Sequence, residues 1–223
     1  MKNQSIPKSG RAGDVVYVKG RYGNVVREFV QPANPRTADQ QAHRYNVRAV
    51  SARWHTLTMD QRAAWRAVAA KTDFITETGE RVRRRGYTLF VALNTRRADL
   101  GLPQFDVPPA QPVFPKSPVV ELLVTNVGDR ITIKLRILGS PTQYILVGGS
   151  RPVRAAIRCV QHFPFLGLLP APIDGWCDIT DLYVARYGVP KAGKAIWIRA
   201  CQHIDGWLDS PKVVPARVLA PTP

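Results

Sequence analysis

Arginines are the most prominent side chains for chemistry in this sequence, and many of them lie between residues 44 and 85. A guanidinium presents rigidly placed N–H donors that match the oxygens of a phosphate or a carboxylate. Four arginines fall in the run RVRRR at residues 81–85, where they can clamp phosphates, contact an acidic protein or stay in a solvated loop. The residues predicted to bind an anion or a protein partner are Arg44, Arg48, Arg53, Arg62, Arg66, Arg81, Arg83, Arg84 and Arg85.

Catalytic patterns are missing from the sequence. It contains no GxSxG, no GxxxxGK[ST] and no HExxH, and its 16 acidic residues are scattered singly. A metal site can be drawn from Cys201 with His203 and Cys159 with His162, but their spacings are not those of known metal sites, and buried thiols are more common. We therefore predict no catalytic, cofactor-binding or metal-ligating residues, and no small-molecule substrate.

The charge distribution predicts an anionic partner. The chain carries a net charge of +16, and residues 1–101 contribute 19 Lys and Arg against 8 Asp and Glu. Three cysteines without a CxxC pair argue against a disulfide framework and fit a reducing compartment. No apolar run reaches the roughly 18 to 20 residues that span a bilayer, and the first residues lack the apolar core of a signal peptide. We expect a protein kept in the cytoplasm, with no membrane partner.

The N-terminal residues predict an arm followed by a docking hairpin. Residues 1–13 are rich in Lys, Ser, Gly and Pro and are predicted to form an extended basic arm. DVVYVKGRYGNVVREFV then gives two β-branched runs around a glycine-bearing connection. A lone hairpin is marginal in water, so this one needs a sheet or a partner. The residues predicted to dock are Val15, Val16, Tyr17, Val25, Val26 and Arg27.

Two capping boxes predict the starts of two helices, at residues 37–40 and 58–61. We expect the first helix to end near His55, and Trp54, Leu57 and Trp65 to staple the two helices together. A small β-hairpin turning at residues 78–79 and a third helix over 87–100 complete a predicted module at residues 14–102.

The second half has a proline-rich start and then the two-residue period of strands. Residues 103–118 are predicted to form a linker, and residues 119–223 a β-sandwich. The seven predicted strand runs are VVELLVTNV, RITIKLRIL, TQYILVGG, RAAIRCVQ, GWCDITDLY, GKAIWIRACQHI and PKVVPARVL. The predicted fold class is thus α+β with two modules: an N-terminal β-hairpin with a small helical bundle, and a C-terminal all-β immunoglobulin-like sandwich.

Three resemblances add context. GKAIWIRACQHIDGWLDSPKVVPARV at residues 193–218 resembles the last hairpin of a fibronectin type III domain, which implies a non-catalytic adhesive or spacer module. RWHTLTMDQRAAWRAVAAK at residues 53–71 resembles the second half of an HMG box, a family that bends DNA in the minor groove, although the box's first helix has no counterpart upstream. The order of GxVVR hairpin, NPRTxxQ, two Trp-bearing helices and sandwich resembles basic, uncharacterised phage and prophage proteins.

Together these features lead to two functional hypotheses. The first is a structural protein of a tailed-phage virion, capsid-decorating or head-tail, assembled in the host cytoplasm. Its partners are other protein subunits, either copies of this chain or capsid and tail proteins. The alternative is a sequence-nonspecific DNA-binding protein of HMG-like or nucleoid type, located in the cytoplasm or nucleoid, for which nucleic acid is the partner.

Overall fold

The chain forms two compact units in the computed structural model, residues 1–109 and 110–223. Residues 9–20, 23–31, 34, 36–75, 81–127, 130–139 and 144–220 are described. Their secondary structure is α+β, with helices in both units and antiparallel sheets throughout, so the coarse fold class is as predicted.

The first unit begins with a three-stranded antiparallel sheet. Its strands are β1 (Gly10–Ala12), β2 (Val15–Gly20) and β3 (Gly23–Glu28), in the order β1-β2-β3. The predicted hairpin is β2 and β3, with Val18 opposite Val25. Within the predicted extended arm of residues 1–13, Gly10–Ala12 pair with β2, because Gly13 supplies a positive φ of 61° that turns the chain back. Residues 1–8 lie outside the described residues.

Three helices follow, and their starts are as predicted. Helices α1 (Ala38–Thr56) and α2 (Met59–Lys71) each begin after a threonine whose hydroxyl accepts the N–H three residues on. In α2 the Gln61 side chain also accepts the Thr58 N–H at 2.8 Å, which completes the capping box. Strands β4 (Asp73–Ile75) and β5 (Arg81–Arg83) pair antiparallel, and their predicted turn lies outside the described residues. Helix α3 is Gly86–Asp99.

The helices pack around two aromatic side chains, Trp65 and Phe90. Both are 0% exposed, and their rings meet edge-to-face with centroids 5.2 Å apart. Trp54 is half-buried and contacts α3 at Phe90 and Tyr87. The tryptophans therefore join α1 and α2 through their contacts with α3. Leu57, which follows α1 directly in the sequence, is buried and caps the C-terminal end of that helix.

The first residues of the predicted linker belong to the helical unit. Asn94 of α3 is fully buried and forms two hydrogen bonds with Phe105, donating to its carbonyl at 3.1 Å and accepting its N–H at 2.7 Å. The Trp65 indole N–H donates to the Asp106 carbonyl at 2.8 Å, and Arg97 Nε donates to the Pro103 carbonyl at 2.6 Å. We call residues 103–106 the clasp. The clasp covers polar groups in the helix interior that would otherwise lack partners.

The second unit contains two antiparallel sheets around one core. One sheet has the order β11-β7-β6, with β6 at Val119–Val127, β7 at Arg130–Ile137 and β11 at Trp176–Asp178. The strands of the other sheet are β8 (Tyr144–Gly149), β9 (Val153–Arg154), β10 (Phe165–Leu168), β12 (Lys194–Ile204), β13 (Trp207–Leu208) and β14 (Lys212–Arg217). In that sheet β12 pairs with β8 on one side and β14 on the other, and β10 pairs with the far edge of β8.

Alternating side chains from both sheets build this core. Ile133 and Leu135 of β7 and Ile196 and Ile198 of β12 are each 0% exposed and belong to the same apolar cluster. Strands with one apolar face must bury it, and two such sheets facing each other do so together. The alternation seen in RITIKLRIL thus predicts the inward face of β7 correctly.

Two of the seven predicted strand runs are strand only in part. RAAIRCVQ forms no strand beyond Arg154, because both edges of β8 are already occupied and Ile157 is 40% exposed rather than directed into the core. GWCDITDLY forms β11 and then helix α4 (Thr180–Tyr187). Ile179 and Tyr183 are buried while Asp181 between them is exposed, whereas a strand would place all three on one face.

Candidate functional site

A basic cleft opens on the helical unit where the end of α1, α2, β5 and the start of α3 meet. Its volume is about 600 Å³. The lining residues are Trp54, Arg66, Ala70, Arg83, Arg84, Arg85, Gly86 and Tyr87. Four of these eight side chains are guanidinium groups, and none of the eight is acidic. We call this region the arginine cleft.

Two of its arginines are held in place by neighbours in the β4–β5 hairpin. The Arg84 guanidinium lies over the Phe74 ring, 3.9 Å from its centroid. Burial lowers the pKa of Arg84, although an arginine keeps its charge at any physiological pH. Arg83 Nε donates to Asp73 at 3.2 Å across the hairpin, in an ion pair that solvent screens because both side chains are well exposed.

The other two arginines approach from the helices. Arg66 projects from α2 and Arg85 stands directly before α3; both are exposed, and within the described part of the chain neither forms a hydrogen bond or ion pair. Their guanidinium groups are therefore available to an anion without breaking an existing contact.

Gly86 brings these groups together. It is buried, and a Cβ built on it would lie 2.8 Å from the backbone nitrogen of Arg66 and 3.0 Å from its Cα. Only glycine allows α2 and α3 to approach so closely at this point. The sequence analysis did not single out Gly86 or Tyr87, although the Arg-Gly-aromatic junction after a basic run was a signal that could have been used.

The remaining predicted arginines lie outside the arginine cleft. Arg53 Nε donates to Asp106 at 2.8 Å; this bond raises the pKa of Arg53 and lowers that of Asp106. Arg62 donates to the His55 carbonyl at 2.7 Å and so caps the end of α1. Arg44, Arg48 and Arg81 are exposed but do not line the cleft.

The sheet of β1, β2 and β3 is the second candidate surface. None of its described side chains is buried, and Val18, Val25 and Val26 are 37%, 54% and 39% exposed. Among the predicted docking residues, Val25, Val26 and Arg27 are exposed, whereas Val15, Val16 and Tyr17 are half-buried. The register places Val18 and Val25 directly opposite each other, so they form a continuous apolar patch on one face.

The cysteine and histidine residues from which a metal site could be drawn in the sequence lie in different surroundings. Cys201 and His203 are buried in β12, and His203 Nε2 accepts the Gly206 N–H at 3.1 Å. Cys159 is exposed. Among the residues that the structure describes, no three His, Cys, Asp or Glu side chains gather in a way that could hold a metal ion.

Comparisons with known proteins give no match, whether to protein-family models, to curated proteins or to solved structures. In the described ranges, every helix is too short or too polar to cross a membrane.

Proposed function

We propose that this protein is a non-enzymatic structural component of a large assembly, and specifically a virion component of a tailed phage, capsid-decorating or head-tail. It docks through its basic N-terminal unit. The observation that carries this proposal is the three-stranded sheet at residues 10–28, in which no described side chain is buried. A sheet this small needs an apolar surface to lie against, because three strands without a buried hydrophobic face lack the burial that stabilises a sheet in water.

A protein partner can use both the face and the edges of this sheet. The face offers the opposed valines Val18 and Val25. The outer edges of β1 and β3 offer backbone donors and acceptors, and a strand from a neighbouring subunit can extend the sheet by pairing with one of them. The net charge of the first 101 residues favours a neighbour with an acidic surface.

The second unit supports a projecting, non-catalytic module with an immunoglobulin-like topology. Its described strands of three or more residues are, in chain order, β6, β7, β8, β10, β11, β12 and β14. The first, second and fifth form one sheet, and the third, fourth, sixth and seventh form the other. Immunoglobulin-like sandwiches likewise pair strands A, B and E in one sheet and C, F and G in the other. Such modules serve mostly as spacers and adhesive surfaces.

Incorporation into particles tests the proposal. Deletion of residues 1–31 should abolish incorporation and leave the sandwich folded. A sharper variant is Val18→Glu with Val25→Glu, which places two charges on the sheet face. Val120→Glu in β6, a valine 46% exposed in the second unit, is the matched control. Particles from cells producing each variant are sedimented and their protein content is measured.

We expect the double variant to be absent from particles although its amount in the cell is normal. The control should be incorporated like the wild type. Particles that contain the truncated or doubly charged protein in normal amounts would exclude docking through this sheet. Equal loss with Val120→Glu would exclude a role specific to the N-terminal unit.

A further inference from the structure

From the geometry of the arginine cleft we infer that it binds the backbone and a base of single-stranded nucleic acid. This activity does not depend on the docking of the sheet at residues 10–28. It uses different residues, and each can fail without the other. Three properties of the cleft carry the inference: its surplus of arginines, a guanidinium held in place on an aromatic ring, and an exposed tyrosine ring beside the cations.

The arginines of the cleft are available to bind an anion. Arg66 and Arg85 form no hydrogen bond or ion pair with other described residues. Among the described carboxylates, Asp73 alone pairs with a lining arginine, in an exposed contact with Arg83. Each guanidinium that contacts a phosphate releases condensed counterions, which makes binding favourable and salt-dependent.

One guanidinium is held in place before a ligand arrives. Phe74 holds Arg84 by a cation–π contact at 3.9 Å, and the close approach at Gly86 fixes the backbone at the start of α3 against that of Arg66. A pre-placed side chain loses less conformational entropy on binding than a free one. Arg84 therefore contacts a phosphate with little rearrangement, and Arg66 and Arg85 extend from backbone positions that are already fixed.

An aromatic ring stands beside these cations. Tyr87 lines the cleft and is 42% exposed, and Trp54, which also lines the cleft, packs edge-to-face with it at a centroid distance of 5.7 Å. Stacking of bases on aromatic rings next to a basic groove is how proteins bind single strands without sequence preference. An acidic peptide would use the arginines but would gain little from the ring.

The same geometry disfavours a duplex ligand. In a duplex the bases are already stacked on one another and cannot reach a ring that lies inside a cleft. Minor-groove bending needs an exposed apolar side chain that wedges between base pairs, and Trp65 is 0% exposed while Trp54 is half-buried against α3. A single strand satisfies both the arginines and Tyr87.

Fluorescence anisotropy with the full chain tests this inference. The probe is a labelled oligo(dT) of about sixteen nucleotides, the upper end of the site sizes of single-strand-binding folds. Arg66→Gln with Arg85→Gln removes the two unpaired cations of the cleft. Arg44→Gln with Arg48→Gln removes the same charge from exposed positions of α1 outside it. Circular dichroism verifies that each variant keeps its helices.

We expect the cleft variant to lose at least tenfold in affinity and to lower the slope of log affinity against log salt by about 1.4, since each single-strand phosphate contributes about 0.7. The α1 variant should lower the slope by less than half as much, that is by less than about 0.7. Tyr87→Ala should weaken binding by about tenfold at an unchanged salt slope, whereas Tyr87→Phe should bind normally.

Equal losses in the two arginine pairs would refute the inference, because they would show binding to general surface charge. So would wild-type affinity in Tyr87→Ala. Duplex DNA of the same length and a poly-glutamate peptide are used as competitors. If either displaces the oligo(dT) at an equal or lower concentration, the cleft does not select single-stranded nucleic acid.

Discussion

Replacement of Trp65 by alanine measures how much of the helical unit depends on one side chain. Trp65 is fully buried against Phe90, and a buried tryptophan removes about 150 to 250 Å² from water. At about 25 cal/mol per Å², this corresponds to about 4 to 6 kcal/mol, part of which alanine retains. Large-to-small core substitutions of aromatic residues cost about 3 to 5 kcal/mol. The lost bond to the Asp106 carbonyl adds about 1 kcal/mol.

We therefore expect Trp65→Ala to lower the free energy of unfolding of the first unit by about 4 to 5 kcal/mol, which approaches the total stability of a small domain. Urea unfolding of the full chain, followed by circular dichroism at the helix band, reports mainly on α1, α2 and α3, since the second unit has only the short α4 among its described residues. Trp65→Phe keeps an aromatic ring and loses the bond to Asp106, so it should cost about 1 to 2 kcal/mol.

Trp54→Ala is the comparison that can refute this reasoning. Trp54 is only half-buried, so its loss should cost clearly less than the loss of Trp65. If Trp65→Ala costs less than about 2 kcal/mol, or no more than Trp54→Ala, then burial of the indole is not what holds the helices together.

Three further changes have defined outcomes. Gly86→Ala forces a Cβ against the α2 backbone and should cost about 1 to 3 kcal/mol in urea unfolding. Asn94→Ala leaves both backbone groups of Phe105 unpaired; it should cost about 2 to 4 kcal/mol and make residues 103–106 sensitive to protease. Burial raises the pKa of the Tyr183 hydroxyl. The contribution of this hydroxyl to the free energy of unfolding is therefore complete below the usual tyrosine pKa of about 10 and is lost as pH rises further. The unfolding free energy of Tyr183→Phe should therefore approach that of the wild type as pH rises past about 10, as measured by guanidinium titration.

Elements determined by adjacent residues were the ones that the sequence predicted well. The starts of α1 and α2 depend on Thr37 and Thr58 and on residues within one turn of them, so the pattern contains all that is needed. The strands β6 and β7 likewise follow from alternation along one segment. Trp65, predicted to staple the helices, is fully buried, whereas Trp54, predicted with it, is only half-buried.

Features that depend on contacts between distant segments were not predicted. The clasp was interpreted as linker because it begins a proline-rich stretch, whereas its bonds to Asn94 and Trp65 are visible only in three dimensions. The arginine cleft was predicted as a set of cations without a shape. Its geometry depends on the contact between Gly86 and Arg66, which are twenty residues apart in sequence.

The clasp also determines when the first unit can finish folding during synthesis. All three helices are complete in the nascent chain once residue 99 has been added, and chains emerge from the N-terminus onward. Yet the Trp65 indole has no acceptor, and Asn94 no backbone partner, until Phe105 and Asp106 have followed. The hydrogen bonds inside the helical unit can therefore be completed only after synthesis has passed Asp106, so these last few residues set the earliest point at which the fold of the unit is complete.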